Sequence, residues 1–332
     1  MDKGKLGFAT FVILYIIYMI IRIPSGVGES GETPDEGEEI IIDNNKTLSH
    51  SLSWKDTEDE REEFRAAITI DYEDYYNSKE YKESYWIFKN DLDSEGNQVI
   101  DIEKLESDAG VDFLKNSLEW NMDVSSFSTE DPRWEYVYPI GRKEGYAYKK
   151  SHVYEVAKLQ YIYSVFDKIR SNNTLQDYEF ATMIVSFVQN LEYSLPMPMD
   201  CNRLQDVEGL EWALDLPCDS YVPFGWYAPT EIIGKWKGDC DTRTLFLFTV
   251  FQHYGYDVVI LNSDMYSHSI LGISLNPEFT TNPSYKEYRY KKYYAWEVTS
   301  PWPLGMLPAS VKNMRYWNVV LDNNLYCPSK PL

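Results

Sequence analysis

A single cysteine, Cys240, lies where a glycine-bearing turn leads into a strongly apolar segment. Residues 245–251 are almost all apolar, which predicts a helix that is buried on most sides. Gly255 is expected to end this helix, and residues 256–261 then have the pattern of a short buried strand. A thiol at a helix N-terminus lies at the positive end of the helix dipole, which favours the thiolate. Cys240 is therefore a candidate nucleophile; the alternative is an inert, buried cysteine.

Two segments further along the chain could supply a base and an acid. Residues 267–275 and 293–299 both alternate like half-buried strands, the first carrying His268 and the second Glu297. In neighbouring antiparallel strands, Glu297 would face His268 across the ladder. Because an imidazole can take the thiol proton and a carboxylate can fix the tautomer of the ring, the pattern predicts a Cys–His–Glu triad. His253 is the rival base, but it lies on the same helix as Cys240 and roughly 20 Å away, too far to reach the sulfur.

A cysteine on a helix, a histidine on a strand and an acid on the next strand, in this chain order, resemble the transglutaminase-like superfamily. The similarity is greatest to its bacterial membrane-associated or secreted members. It extends over four blocks: SFVQNLEYSLP at 186–196, PTEIIGKWKGDC at 229–240, GYDVVIL at 255–261 and WEVTSPWPLGMLP at 296–308. The resemblance implies an α+β, papain-like fold, with the helix of Cys240 packed on an antiparallel sheet that carries His268 and Glu297. It also implies that Cys240 is the nucleophile, His268 the base and Glu297 the orienting acid.

Three further residues are candidates for contacts with a substrate or an oxyanion. Gln189 matches a glutamine in the family's helix that precedes the cysteine; it either contacts the substrate or oxyanion or bonds nearby backbone at its helix end. Trp226 and Trp236 flank the approach to Cys240, and either could donate its indole N–H to an oxyanion or simply pack. We take Gln189 and Trp236 as the candidate substrate or oxyanion contacts.

The chain also departs from the family pattern at two places. Many relatives carry an acidic pair after the cysteine, whereas here Asp241 is followed by Thr242 and Arg243. Many transglutaminases use aspartate as the third triad member, whereas this chain has the longer Glu297. Neither change removes a proton-transfer group, but each leaves room for a different substrate.

Composition limits the function classes. In 332 residues, 44% are hydrophobic and 16% aromatic, enough for a packed core in one large or two modest domains. The formal net charge of -22 argues against nucleic-acid binding, since a protein that binds phosphate backbones needs the opposite sign. The many tyrosines and tryptophans are compatible with a surface that handles peptides or glycans.

The chain begins with an apolar run that predicts a membrane anchor. Residues 6–21 are uncharged and almost wholly apolar, and with their flanks they reach the length of a bilayer span. A cleaved signal peptide is the alternative, but residues 23–30 offer no convincing cleavage site. Lys3 and Lys5 before the run, and an acidic segment after it, favour a cytoplasmic N-terminus and an exported body.

We therefore expect four regions: an anchor at 1–23, an acidic flexible linker at 24–51, an aromatic-rich extension at 52–150 and the catalytic domain at 151–325. In the extension, residues 68–76 and 134–149 predict strands and residues 102–120 a helix; residues 153–170 predict one amphipathic helix. Cys201 and Cys218 could form a disulfide in an exported protein, leaving Cys240 free and Cys327 unpaired.

These features predict an exported, membrane-anchored cysteine enzyme that acts on peptide or carboxamide bonds through a thioester. Water as the acceptor would make it a protease or amidase, and an amine would make it a transglutaminase. The alternative is a non-catalytic binding or scaffold module of a cell-envelope assembly. The expected partners are a peptide or protein substrate in the envelope and the membrane, and neither a metal nor an organic cofactor is implied.

Overall fold

The structure is a computed structural model. It describes residues 47–58, 63–86, 91–92, 98–99, 144–197, 200–206, 213–278 and 280–324. The predicted anchor, most of the predicted linker, Cys327 and the predicted helix at 102–120 lie outside these ranges. Among the described helices, none combines the length and the apolar character needed to cross a bilayer.

Helices and strands are mixed along the described chain. The strands are β1 (Thr47–Lys55), β2 (Glu63–Asp71), β3 (Asp91–Leu92), β4 (Gln98–Val99), β5 (Leu195–Pro196), β6 (Cys218–Asp219), β7 (Val258–Ser263), β8 (His268–Ile273), β9 (Tyr285–Tyr288), β10 (Lys291–Trp296) and β11 (Asn318–Asp322). The α-helices are α1 (Tyr72–Trp86), α2 (Glu144–Glu155), α3 (Gln160–Asn173), α4 (Asp177–Gln189), α5 (Pro229–Lys235) and α6 (Cys240–His253). Short 3-10 helices cover Cys201–Asp206, Pro223–Gly225 and Met314–Tyr316. This composition agrees with the expected α+β class.

A five-stranded antiparallel sheet forms the centre, in the order β11-β7-β8-β10-β9. Its middle strands are almost fully buried because α6 covers one face, packing against β7 and β8. The apolar residues of α6 from Leu245 to Phe251 have essentially no exposed surface, as expected for a helix buried on most sides. Gly255 follows the helix with a φ of +80°, a conformation that favours glycine, and so ends α6 where the sequence predicts.

The N-terminal hairpin shares the core of the central sheet and its helices. β1 pairs with β2 in an antiparallel ladder, and Trp54 of β1 packs against Phe64 of β2 and against Phe187 of α4. The indole N–H of Trp54 donates to the carbonyl of Met183, also on α4. The first described residues, 47–51, belong to β1 although the sequence assigned them to the flexible linker. Helix α2 also runs across the expected domain boundary at residue 150.

Three sequence predictions about local structure are wrong in the described part of the chain. The predicted strand at 68–76 ends at Asp71, whose carboxylate accepts the backbone N–H of Glu73 and so favours the start of α1. Residues 144–149 of the predicted strand at 134–149 are helical, in α2. The single helix expected at 153–170 is two helices, α2 and α3, which are separated by residues 156–159, and Val153, expected on the buried stripe, is 53% exposed.

A disulfide joins Cys201 to Cys218, as the sequence predicts for an exported protein. It closes the loop between β5 and β6, which pair in parallel. Cys240 is the free cysteine among the described residues. Its thiol is therefore available for chemistry.

Candidate active site

Cys240 is the first residue of α6. Asp239 caps this helix by accepting the backbone N–H of Thr242 at 3.0 Å. Gly238 lies so close to the helix that a Cβ at this position would be 2.6 Å from the Thr242 side chain. The glycine and the cap residue therefore fix the point at which the helix begins, and with it the position of the sulfur.

His268 is the first residue of β8, a strand that packs against α6, and it lines the same cavity as Asp241, the residue after Cys240. The residue before it, Ser267, has a φ of +46°, which is uncommon for a side chain other than glycine and turns the chain sharply into the strand. The backbone N–H of Ser269 donates to the sulfur of Cys240. Because Ser269 directly follows His268, this bond brings the start of α6 against the start of β8.

Glu297 follows the last residue of β10 and holds the imidazole from the other side. Its oxygens lie 3.0 and 3.2 Å from Nε2 of His268. The pairing of β10 with β8 ends at Trp296. Glu297 therefore meets His268 beyond the end of the ladder, whereas the alternation of the two segments predicts a contact across the ladder. Thr299 supports the carboxylate, donating its backbone N–H at 2.9 Å and its hydroxyl at 2.6 Å.

The His268–Glu297 pair is electrostatically coupled. Burial alone would raise the pKa of Glu297, but the charge and hydrogen bond of His268, with the bonds from Thr299, lower it to about 2. Burial alone would lower the pKa of His268. The charge and hydrogen bond of Glu297, together with the charges of Asp241 and Asp239, outweigh the effect of burial and raise this pKa. Since Nε2 faces the carboxylate, Nδ1 is the ring nitrogen placed to exchange a proton with a nucleophile.

Cys240 has an environment that opposes the thiolate. Its side chain is buried, with 5% exposure, and its sulfur lies 3.8 Å from Oδ2 of Asp241. Burial and the charges of Asp241 and Asp239 raise the pKa of Cys240 well above its ordinary range, against a smaller effect of the Ser269 N–H. The helix dipole alone had predicted the reverse. In the resting site the thiol therefore keeps its proton, and reaction requires a base.

Asp241 is itself oriented by a residue from α2. The hydroxyl of Tyr148 donates to Oδ1 of Asp241 at 2.7 Å, and Tyr148 is completely buried. Asp239, on the other side of Cys240, has a pKa raised by burial and by the charge of Asp241. Two carboxyl groups thus flank the sulfur, and one of them is fixed by a tyrosine 93 residues earlier in the chain.

Gln189 supports Glu297 from behind. Its Nε2 donates to the backbone carbonyls of Glu297 at 2.8 Å and of Trp302 at 3.2 Å, and its Oε1 accepts the hydroxyl of Thr57. These bonds use both amide hydrogens, so in this geometry Gln189 orients the acid and has no N–H left for a substrate or an oxyanion.

The two tryptophans near Cys240 differ in their surroundings. Trp236 stacks on His50, with ring centroids 4.6 Å apart, and meets Phe187 edge-on, which is a packing role. Trp226 is 2% exposed, stacks on Phe224, and its indole nitrogen has no hydrogen-bond partner among the described residues. A buried indole N–H without a partner costs free energy. Both tryptophans therefore have packing roles, and none of the contacts found among the described residues joins either indole to Cys240.

A polar cavity of about 390 Å³ opens beside His268. It lies at the turn between β7 and β8, and every side chain that lines it is polar: Asp241, Asn262, Ser263, Asp264, Ser267 and His268. This cavity gives a hydrophilic group access to the edge of the site.

The residues around Cys240 also include a group with metal-ligand atoms. Asp239, Cys240 and Asp241 each offer one such atom within 4.8 Å of the others. However, Asp239 already caps α6 and Asp241 accepts Tyr148, so both carboxylates have protein partners. We assign no metal to this group.

Sequence reasoning missed four supporting groups of the site. Tyr148, Thr299, the backbone of Ser269 and Arg243 contact the three candidate residues or their neighbours, and each acts through a hydrogen bond that no periodicity encodes. Only Arg243 lies beside a departure that the sequence shows, since Asp241 is followed by Thr242 and Arg243 whereas many members of the resembled family carry an acidic pair after the cysteine. In comparisons with known proteins, the chain matches no protein-family model, no curated protein and no solved structure.

Proposed function

We propose that this protein is a transglutaminase-like cysteine enzyme with a papain-like core, in which Cys240, His268 and Glu297 act as nucleophile, base and orienting acid. The observation that carries the proposal is the buried His268–Glu297 pair at 3.0 Å beside the sulfur-bearing start of α6. A histidine held by a carboxylate through Nε2 has its tautomer fixed, which is what a base for a thiol needs. Nothing in a purely packing role requires a buried histidine–carboxylate pair at this position.

In the proposed reaction, the neutral form of His268 takes the proton of the Cys240 thiol at Nδ1 as the sulfur attacks the carbonyl carbon of a carboxamide or peptide. The C–S bond forms, the C–N bond breaks, and the imidazolium returns its proton to the leaving amine or ammonia. Water or a second amine then cleaves the thioester, giving hydrolysis or transamidation. The N–H groups at the start of α6 are the candidate donors to the oxyanion.

We further propose that the enzyme works outside the cytoplasm, anchored by the apolar run at residues 6–21. The Cys201–Cys218 disulfide supports an oxidising compartment. The substrate would then be a peptide or protein of the cell envelope, and the polar cavity beside His268 suits a hydrophilic group.

A second candidate is a non-catalytic scaffold module of a cell-envelope assembly. The specific observation in its favour is the burial of Cys240, together with the raised pKa of its thiol. Under this alternative Cys240 and His268 have structural roles, and the sulfur never leaves the protonated state.

The proposal is tested by trapping the thioester. The full-length protein would be incubated with glutamine-containing peptides, with and without hydroxylamine, which converts a thioester into a hydroxamate. We expect an acyl adduct on Cys240 by intact mass and hydroxamate formation that Cys240→Ala abolishes and His268→Gln lowers by about 10²–10⁴-fold. Absence of any Cys240-dependent adduct or product across peptide amides would favour the scaffold.

A further inference from the structure

Arg243 is a fully buried cation one turn after Cys240, and its guanidinium bonds three backbone carbonyls. Nε donates to Gly238 at 2.9 Å, Nη2 to Leu191 at 2.7 Å and Nη1 to Val298 at 3.3 Å. Side chains that carry charge are almost never completely buried unless their hydrogen bonds are satisfied. The three bonds to carbonyls meet this requirement and fix the position of the guanidinium.

Two of the three carbonyls belong to the segments of Cys240 and Glu297, and the third follows α4, the helix of Gln189. Gly238 lies in the turn before Cys240, Val298 directly follows Glu297, and Leu191 is two residues beyond Gln189. A planar guanidinium holds its donors in a fixed fork, so one side chain sets the separation of all three segments. A lysine, with a single nitrogen, cannot reach all three carbonyls in the same way.

Arg243 also faces the negative groups of the site. Burial lowers its pKa to about 10, against opposing effects of Tyr193, Asp239, Glu297 and Cys240, so it stays charged at neutral pH. The interaction is mutual, and the guanidinium therefore favours negative charge on the sulfur. The other ionisable groups near the sulfur are Asp239 and Asp241 on its own turn, and His268 and Glu297 from the sheet.

We propose that Arg243 is a positioning residue of this site: it holds the Cys240 turn against the segment after Glu297 and supplies the positive charge that offsets the flanking carboxylates. The inference deepens the proposed function and rests on it.

The test measures the rate at which iodoacetamide alkylates Cys240 between pH 5 and 10 in the full-length protein. Cys327→Ser removes the competing thiol, and peptide mapping assigns the label. The variants are Arg243→Met, Arg243→Lys and the control Arg289→Met. Arg289 pairs with the buried Asp322 at 2.8 Å, remote from Cys240, so its loss should also destabilise the fold.

We expect Arg243→Met to slow alkylation at pH 7 by about tenfold, as an upward movement of the thiol titration by one pH unit would. Arg243→Lys, which keeps the charge, should lie between Arg243→Met and wild type, and Arg289→Met should stay within about twofold of wild type. If Arg243 had a purely structural role, Arg243→Met would instead raise the alkylation rate, because loosening the site would expose the Cys240 side chain, which is 5% exposed in the folded protein.

An Arg243→Met rate equal to or above wild type would overturn the inference. If that variant lacks a cooperative unfolding transition, Arg243→Lys decides by the same criterion, and failure of both to fold would assign the residue to the fold alone. His268→Gln, measured in the same series, tests the proposed function separately. The proposed function fails if iodoacetamide alkylates Cys240 at the same rate in wild type and in His268→Gln. If the wild-type alkylation rate differs from that of His268→Gln but equals that of Arg243→Met, only the role of Arg243 is rejected.

Discussion

Replacing Glu297 with glutamine removes the negative charge that faces His268 but keeps the size of the side chain. The carboxylate is fully buried and its pKa is about 2, compared with an ordinary glutamate value of 4.5. That difference corresponds to about 3 kcal/mol of folding free energy, mainly from His268 and Thr299. The raised pKa of His268 reflects the same interaction and is not added to it.

The sign of the pH dependence follows from the lowered pKa. A carboxyl group whose pKa is lower in the folded state stabilises the protein above the unfolded pKa and loses this effect as the pH falls. The wild type should therefore lose about 3 kcal/mol relative to Glu297→Gln as the pH falls from about 4.5 to about 2. Near neutral pH the variant should be the less stable protein by a similar amount.

Urea unfolding of both proteins between about pH 2 and pH 7 measures this difference directly. Glu287→Gln is the matched control, because Glu287 is exposed on β9 and its replacement should give a small, nearly constant difference. In a His268→Gln background, the effect of Glu297→Gln should shrink, which identifies the partner. A Glu297→Gln effect that stays the same at every pH, or that is unchanged without His268, would refute an ionised pair at the centre of the site.

Two further predictions concern the frame of the site. Gly238→Ala places a Cβ 2.6 Å from the Thr242 side chain, so the turn before Cys240 must shift, and we expect a loss of about 1–3 kcal/mol in urea unfolding; an unchanged midpoint would show that the turn adapts freely. Removing the disulfide by Cys201→Ser with Cys218→Ser opens a loop with a sequence separation of 17, which should cost about 3 kcal/mol by the loop-entropy argument. Equal stability of the disulfide-free and wild-type proteins would contradict this reasoning.

The sequence predicted the parts of the fold that depend on local periodicity. The buried helix after Cys240, its end at Gly255 and the strand carrying His268 all follow from apolar spacing and from a glycine at a positive φ. Helix α1 could not be predicted in this way, because its tyrosines and charges resemble a strand pattern and its start is set by the Asp71 cap. The hydrophobic pattern alone does not show whether a helix cap or a strand is favoured at such a position.

The supporting contacts of the site were out of reach for a different reason. Tyr148 meets Asp241 across 93 residues, and Gln189 meets the carbonyl of Glu297 across 108. Such contacts arise from the packing of α2 and α4 and leave no periodic trace in the chain. The pKa of Cys240 depends on the same packing, since burial and two carboxyl groups outweigh the helix terminus that the sequence alone reveals.

The central claim is that His268 acts on the Cys240 thiol, and the alkylation rate of Cys240 in wild type and His268→Gln across pH tests it most directly. Glutamine keeps much of the bulk of the imidazole, so the exposure of the sulfur changes little. We predict that the wild-type rate rises with pH, because the thiol is protonated at rest, and that His268→Gln reacts more slowly at each pH from 6 to 9. Identical rate profiles for the two proteins would contradict the account and favour a structural role for Cys240.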